Sequence, residues 1–385
     1  MLKNKSYWFL LFIAFVSKIN ISYSMDQKNI VFKTYTIEQY MLDSKLKKTL
    51  KINDPCSDNY DYAACLLLKD ANPNLVFKSK LNKIPITSVL IFIIRSNSFI
   101  NLLNLLFNKN VDLNFQDELG YTALSWASYL GNVNMVKLLI DAGADLNIKD
   151  NDGYTALMIS LQNECNDIIK LLIDAGANLD IKDNNDCTVL MQALKNEQIN
   201  MVQLFIDAGA DLNIKNKNGD TILISSILYN NIHVTEMILN SEQYCDVNSM
   251  NATGDTALTF AIKKHGRFSV INYLLGYNYK EFIKLLLSNR YLNINAQDYE
   301  GNTALMLAIK LGKIDIVRLL LSDSYNLSSM SDININIKNN NGDTLLSLVR
   351  QNNYKDVEEY LISKYSTNIY SSSYLIDDNL AEKSV

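Results

Sequence analysis

Apolar residues in this chain come in pairs of short runs, each pair followed by a stretch of alternating character, and the order repeats. In the segment from Asp150, the string Asp150-Asn151-Asp152-Gly153 puts Asp first and Gly fourth, the composition of a type I turn. Thr155 follows as a helix N-cap, its hydroxyl placed to accept from an orphan N–H of the first turn. A short first helix is predicted next. The string NDIIKLLIDAG then carries Ile168, Ile169, Leu171, Leu172 and Ile173 at helical spacing, a second helix with a broad apolar face. Gly176 stands where a left-handed C-cap is wanted, and ANLDIK runs extended to the next turn.

The same unit returns along the chain. ELGYTALSWA, NDGYTALMIS, NNDCTVLMQA, KNGDTILISS, ATGDTALTFA, YEGNTALMLA and NNGDTLLSLV share one register, with the glycine place at Gly120, Gly153, Asp186, Gly219, Gly254, Gly301 and Gly342. The spacings are 33, 33, 33, 35, 47 and 41 residues, a period that marks stacked supersecondary units. Thr fills the cap in all seven (Thr122, Thr155, Thr188, Thr221, Thr256, Thr303, Thr344). Five positions on, the residue is mostly small (Ala127, Ser160, Ala193, Ser226, Ala261, Ala308, then Val349), which lets a partner helix approach closely. Two short helices and a finger cannot enclose a core alone. Stacking buries their apolar faces between neighbours.

The motif G-x-T-A-L-x-x-A followed by L-L-I-D-A-G-A-D-L-N resembles the ankyrin repeat, whose period is also 33 residues. The resemblance implies an all-α repeat solenoid of stacked helix–turn–helix units with short β-like fingers. It also brings departures. The family's Thr-Pro-Leu-His is Thr-Ala-Leu-Ser at Thr122 to Ser125, and no unit keeps the Pro or the His. That His normally ties neighbouring turns, so a less firmly tied array is expected. The inter-helix glycine survives at Gly131 and Gly312 alone, and the helix-ending glycine (Gly143, Gly176, Gly209) is gone from the fourth unit onward.

Clear units are expected at 117–149, 150–182, 183–215, 216–250, 251–297, 298–338 and 339–365, within an array spanning 84–365. Upstream, VDLNFQ ends a worn unit, and residues 25–83 read as a degenerate capping repeat, with a small separate helical domain as the alternative. Relative to 33 residues the fifth unit gains 14, mostly apolar and around 267–280, and the sixth gains 8, polar and around 323–332. Residues 366–385 lack periodicity and read as a flexible tail. At the other end, MLKNK, the apolar run YWFLLFIAFV and SYS have the order of a secretory signal at 1–24, cleaved after Ser24. That run is too short to span a bilayer, which takes roughly 20 residues. Lys18 interrupts the region, so translation from Met25 as a cytoplasmic protein is the alternative. With cleavage the protein is exported, periplasmic or secreted, and has no stable membrane span.

Composition narrows the function. A net charge of −5 and a pI near 5.2 argue against a nucleic-acid partner, which calls for a basic face. Asparagine is plentiful and reads as compositional bias. Five cysteines follow no metal or redox spacing and read as free thiols scattered in a repeat array; Cys56 and Cys65, near enough in sequence to bridge on export, are the alternative. His233 and His265 have no ligand or triad partners in sequence, and no phosphate loop or nucleophile motif is present. No cofactor, no metal and no reaction are expected. In the DNDG turn, an EF-hand register would put Ile148 where a carboxylate is required.

What varies between units is the turn tips and the end of the first helix: Glu118, Leu119, Tyr121, Tyr129; Asn151, Asp152, Tyr154; Lys217, Asn218, Tyr229; Tyr299, Glu300, Lys310. The resemblance implies that these line a concave groove that grips a partner protein, whereas Trp126 reads as a packing residue. The resulting expectation is a monomeric, non-catalytic protein-binding module. Analogy extends it to an exported bacterial effector acting on host proteins. A structural or scaffold protein of the cell envelope, and a regulator with its activity in the N-terminal segment, are the alternatives.

Overall fold

Seven threonines each close the first turn of a helix, and the repeat is built outward from them. In this computed structural model the described residues are 111–264, 279–322 and 333–373, with short pieces at 76–77, 87–88, 90, 91, 94 and 103–107. The signal expected at 1–24, Met25, Cys56, Cys65, His265, most of 25–83, the insertion residues 267–278 and 323–332 and residues from 374 onward lie outside them. The chain divides into two bodies, Met1–Asn178 and Leu179–Val385.

In the first body the helix pairs are Ala123–Tyr129 with Val133–Asp141, then Ala156–Gln162 with Asn166–Asp174. In the second they are Val189–Lys195 with Ile199–Asp207, Ile222–Leu228 with Ile232–Asn240, Ala257–Lys264 with Tyr279–Leu287, Ala304–Lys310 with Ile314–Leu320, and Leu345–Gln351 with Lys355–Ser373. Within each body, first helices pack on first helices and second on second. Each body is thus a two-layer stack of helix–turn–helix repeats, an all-α solenoid. Thr122, Thr155, Thr188, Thr221, Thr303 and Thr344 accept from the N–H three residues on, and Thr256 does the same for Thr259. A cap of this kind contributes about 1 kcal/mol.

The small-residue place is where the helices meet most tightly: Ala127, Ala193, Ala261, Ala308 and Val349 are fully buried, as are Ser160 and Ser226. The buried hydroxyls are satisfied, Ser160 donating to the Ala156 carbonyl at 2.8 Å and Ser226 lying 2.7 Å from the Thr235 hydroxyl. The C-cap reading of Gly176 also holds. Its φ is +85°, and the N–H groups of Gly176 and Ala177 return to the carbonyls of Ile173 and Leu172.

Three expectations change. Residues 366–373, read as tail, continue the last helix beyond a break at Tyr365, in a stretch without Gly or Pro to end it. The ties between turns, expected to weaken without the family's His, are made by main chain and by asparagine. The N–H groups of Asn151, Lys217, Ala252 and Asn340 donate to the carbonyls of Leu119, Asn185, Asn218 and Glu300 in the preceding turns. And asparagine is no mere bias. In each body the fingers are joined by a ladder in which an Asn or Asp side chain of one finger accepts from the main chain of the next. Asn114 accepts from Asp145 and Asn147 from Asn178, at 2.9 Å each. In the second body Asp180, Asn213, Asn248 and Asn295 accept in the same way from Asp211, Asp246, Asn293 and Asn334.

Near the start of the described residues, β1 (Val76–Phe77) pairs antiparallel with β2 (Thr87–Ser88). Isolated bridges from Gln297 to Thr303 and from Lys338 to Thr344 make the same finger-to-cap pairing in later repeats.

Two stability measurements follow. Leu172 is fully buried in a second helix, so Leu172→Ala should cost roughly 2–5 kcal/mol in urea unfolding. Glu197 holds the inter-helix place at φ +58°, where a side chain is strained by about 1–2 kcal/mol. Glu197→Gly should therefore raise the unfolding midpoint, by about 0.5–1 kcal/mol once the freer unfolded glycine is counted.

Candidate protein-binding surface

The turn tips are held by one device. Asp117, Asp150, Asp183, Asn216, Asn251, Asp298 and Asn339 open the seven turns, and the Oδ1 of each accepts two N–H groups, from the residues two and four positions on. The chain then passes the glycine place in the left-handed region, at φ +79° for Gly120 and at +58° even where Asp186 stands in. A tip fixed by its own side chain projects its middle residues outward.

Those outward residues are the ones the sequence singles out. Glu118, Leu119, Tyr129, Asn151, Asp152, Lys217, Asn218, Tyr229, Tyr299, Glu300 and Lys310 are exposed, and Tyr121 and Tyr154 are half-buried. Several also serve the scaffold. Asn151 donates through Nδ2 to the Glu118 carbonyl at 2.8 Å, Tyr299 lies against the turn at Gly254, and Lys310 pairs with Glu300 at 3.1 Å.

In the first body the structure gathers Tyr121 and Tyr129 around Trp126. The Tyr121 and Trp126 ring centroids are 5.0 Å apart, Trp126 and Tyr129 5.7 Å, and Tyr121 and Tyr129 6.5 Å. The Trp126 indole N–H donates to Asp117 Oδ2 at 2.8 Å, which fixes its ring. Tyr154 sits on the neighbouring turn and makes no ring contact with these three. Trp126, half-exposed, is the residue that sequence reasoning passed over. Gln192, at the same place two repeats on, likewise donates to its own turn carboxylate, Asp183 Oδ2, at 3.0 Å, a direction that the sequence spacing does not show.

Burial pushes the Tyr121 phenol up, assisted by the negative charge of Asp150 and by Tyr129, Asp152 and Asp117. The Asp150 carboxyl is also raised, chiefly by burial. Cys165, Cys187 and Cys245 are free thiols, and burial lifts that of Cys245 to about 12, which keeps it protonated and inert. Among the described residues no three His, Cys, Asp or Glu side chains are grouped to hold a metal ion, and no helix is long and apolar enough to cross a membrane.

A family model described as ankyrin repeats in three copies matches residues 90–183, 190–280 and 276–330, and a second ankyrin-repeat model matches 162–206. The chain belongs to the ankyrin repeat family. Ankyrin repeats generally mediate protein–protein interaction. Among solved structures, the chain is similar to the ankyrin repeat domain of Bcl-3, described as a unique member of the IkappaB protein family. Identity is 24% and the TM-score 0.48, over 60% of this chain and 95% of that one. No curated protein matches the chain. The ankyrin-repeat tips of this chain are built on close main-chain approach. A Cβ added at Gly120 would lie 2.6 Å from the Asn151 nitrogen, whereas one at Gly143 (φ +86°) would meet nothing within 4 Å. Gly143→Ala should thus show backbone strain alone, roughly 1–2 kcal/mol. Gly120→Ala should lower the urea midpoint clearly further; equal losses would mean the tips do not touch.

Proposed function

We propose that this chain is a non-catalytic protein-binding array that grips a partner protein through the turn tips and first-helix ends. The observation that carries the reading is the aromatic surface of the first two repeats. Tyr121 and Tyr154 stand where other repeats carry Asp, Asn or Cys, and Tyr129 where others carry Lys, Gln or Leu, so the stacking does not require them. Tyrosine offers large amphipathic contact area for little conformational entropy. Elsewhere the scaffold makes internal use of these places, as in the Lys310–Glu300 pair. The order of charge, apolar run and small residues at 1–24 makes export part of the proposal.

The test is capture of partners by the full chain, identification by mass spectrometry, and binding by the variant in which Tyr121, Tyr129 and Tyr154 are all Ala. Anchors of this type cost about 2 kcal/mol or more each when truncated, so binding should be abolished. The variant should keep the helical signal and a near-native thermal midpoint. A well-folded variant that binds as before would sink the proposal.

A further inference from the structure

The acids at the turn tips are answered differently in different repeats. In the fifth, Lys263 projects from the end of the first helix and forms ion pairs with Asp255 of its own turn and, at 3.5 Å, with Asp298 Oδ2 at the start of the next. One repeat on, Lys310 at the same place pairs with Glu300. In the first repeat the place of Lys263 is taken by Tyr129, and the place of Asp298 in the following turn by Asp150. Asp150 is 7% exposed. Its Oδ1 knots the turn, and its buried Oδ2, like that of Asp298, has no hydrogen-bond partner; Asp298 has the Lys263 ammonium at 3.5 Å, and Asp150 has no such cation beside it among the described residues. The ammonium that stands at this carboxylate position after the fifth repeat has no counterpart on Tyr129 between the first and second.

Rings stand there instead. Tyr121 and Trp126 are inclined by 37°, and Tyr129 is close to perpendicular to both, at 86° and 82°. Together they form a corner, and Tyr129 is 51% exposed. Aromatic faces attract cations, more strongly where water is partly excluded. The charges acting on the Tyr121 phenol come from Asp150, Asp152 and Asp117, and exposed Glu118 adjoins Asp117 in the chain. Among the described residues no basic side chain pairs with any of these four acids.

We infer that this corner receives the ammonium group of a lysine side chain on the partner protein, with Tyr121, Trp126 and Tyr129 supplying ring faces and Asp150 the counter-charge. Lys263 is the template inside the chain, an ammonium reaching the same carboxylate from the same helix position. Arginine fits less well, because the one free carboxylate oxygen offers no fork for a bidentate guanidinium. The inference rests on the protein-binding reading above and specifies the chemistry of its partner.

The probe is n-butylammonium, the lysine side chain in isolation. The full chain carries Trp8→Phe, so that Trp126 is its single indole. Titration against sodium chloride at equal ionic strength should give a saturable change of Trp126 fluorescence with butylammonium and none with sodium. Asp150→Asn should weaken that binding at least tenfold. The change is conservative, since Asn216, Asn251 and Asn339 knot their own turns through the same two N–H groups. If that variant fails to fold, Tyr129→Lys supplies an internal ammonium and should abolish the response. Identical behaviour of butylammonium and sodium, or full binding by a folded variant, overturns the inference. With the captured partner, acetylating its lysines should weaken binding at least tenfold. Binding that survives acetylation but is lost in the triple tyrosine variant overturns the lysine inference and leaves the protein-binding reading standing. Binding that survives both overturns both.

Discussion

A carboxylate or amide oxygen accepting two main-chain N–H groups is the interaction on which the rest of this structure depends. Turns and fingers have no regular ladder to satisfy their main chain, and an unmet buried donor costs as much as a lost hydrogen bond. Asp117 and its six counterparts settle this within each turn. Only then can the threonine two residues past the glycine place cap the first helix, and only a fixed helix can present Ala127 and its equivalents for close packing.

This dependence explains what was legible in the sequence. Threonine caps, the buried small-residue place and the left-handed turn position recur at a fixed offset, so repetition itself reveals them. Asp186 is instructive: its neighbours in register place it in the left-handed region at φ +58°, where an isolated aspartate would give no warning. The finger ladder was harder to see. Asn114 and Asn147 look like ordinary polar residues in an asparagine-rich chain, and their role depends on which main-chain N–H the next finger brings near. The aromatic corner was half legible. Tyr121 and Tyr129 stood out by breaking the pattern, but Trp126 passed for packing because its place is filled by apolar residues in most other repeats, at Ile159, Phe260, Leu307 and Leu348. That it bonds Asp117 follows from a side-chain direction that spacing does not encode. Likewise, Asp150 looks like Asp117, and only the donor that Trp126 supplies to one and Ile159 cannot supply to the other separates them.

Repetition also works as an internal comparison. Seven copies of one unit place different residues in one framework, so a missing partner in one copy can be read from its presence in another. Lys263 and Tyr129 occupy one address and solve opposite problems: the first neutralises a carboxylate within the chain, and the second leaves one unanswered beside an aromatic face.

The finger ladder measures distance in space and is indifferent to distance along the chain. The bond from Asn178 to Asn147 spans 31 residues, whereas the equivalent bond from Asn293 to Asn248 spans 45. Closing the longer excursion adds only about 0.3 kcal/mol of loop entropy by logarithmic scaling. An extra segment entering between two fingers therefore leaves the stitch on either side of it unchanged. Such an array can lengthen one of its excursions and acquire new surface while its spine keeps step, so the scaffold tolerates growth at the places where novelty costs it least.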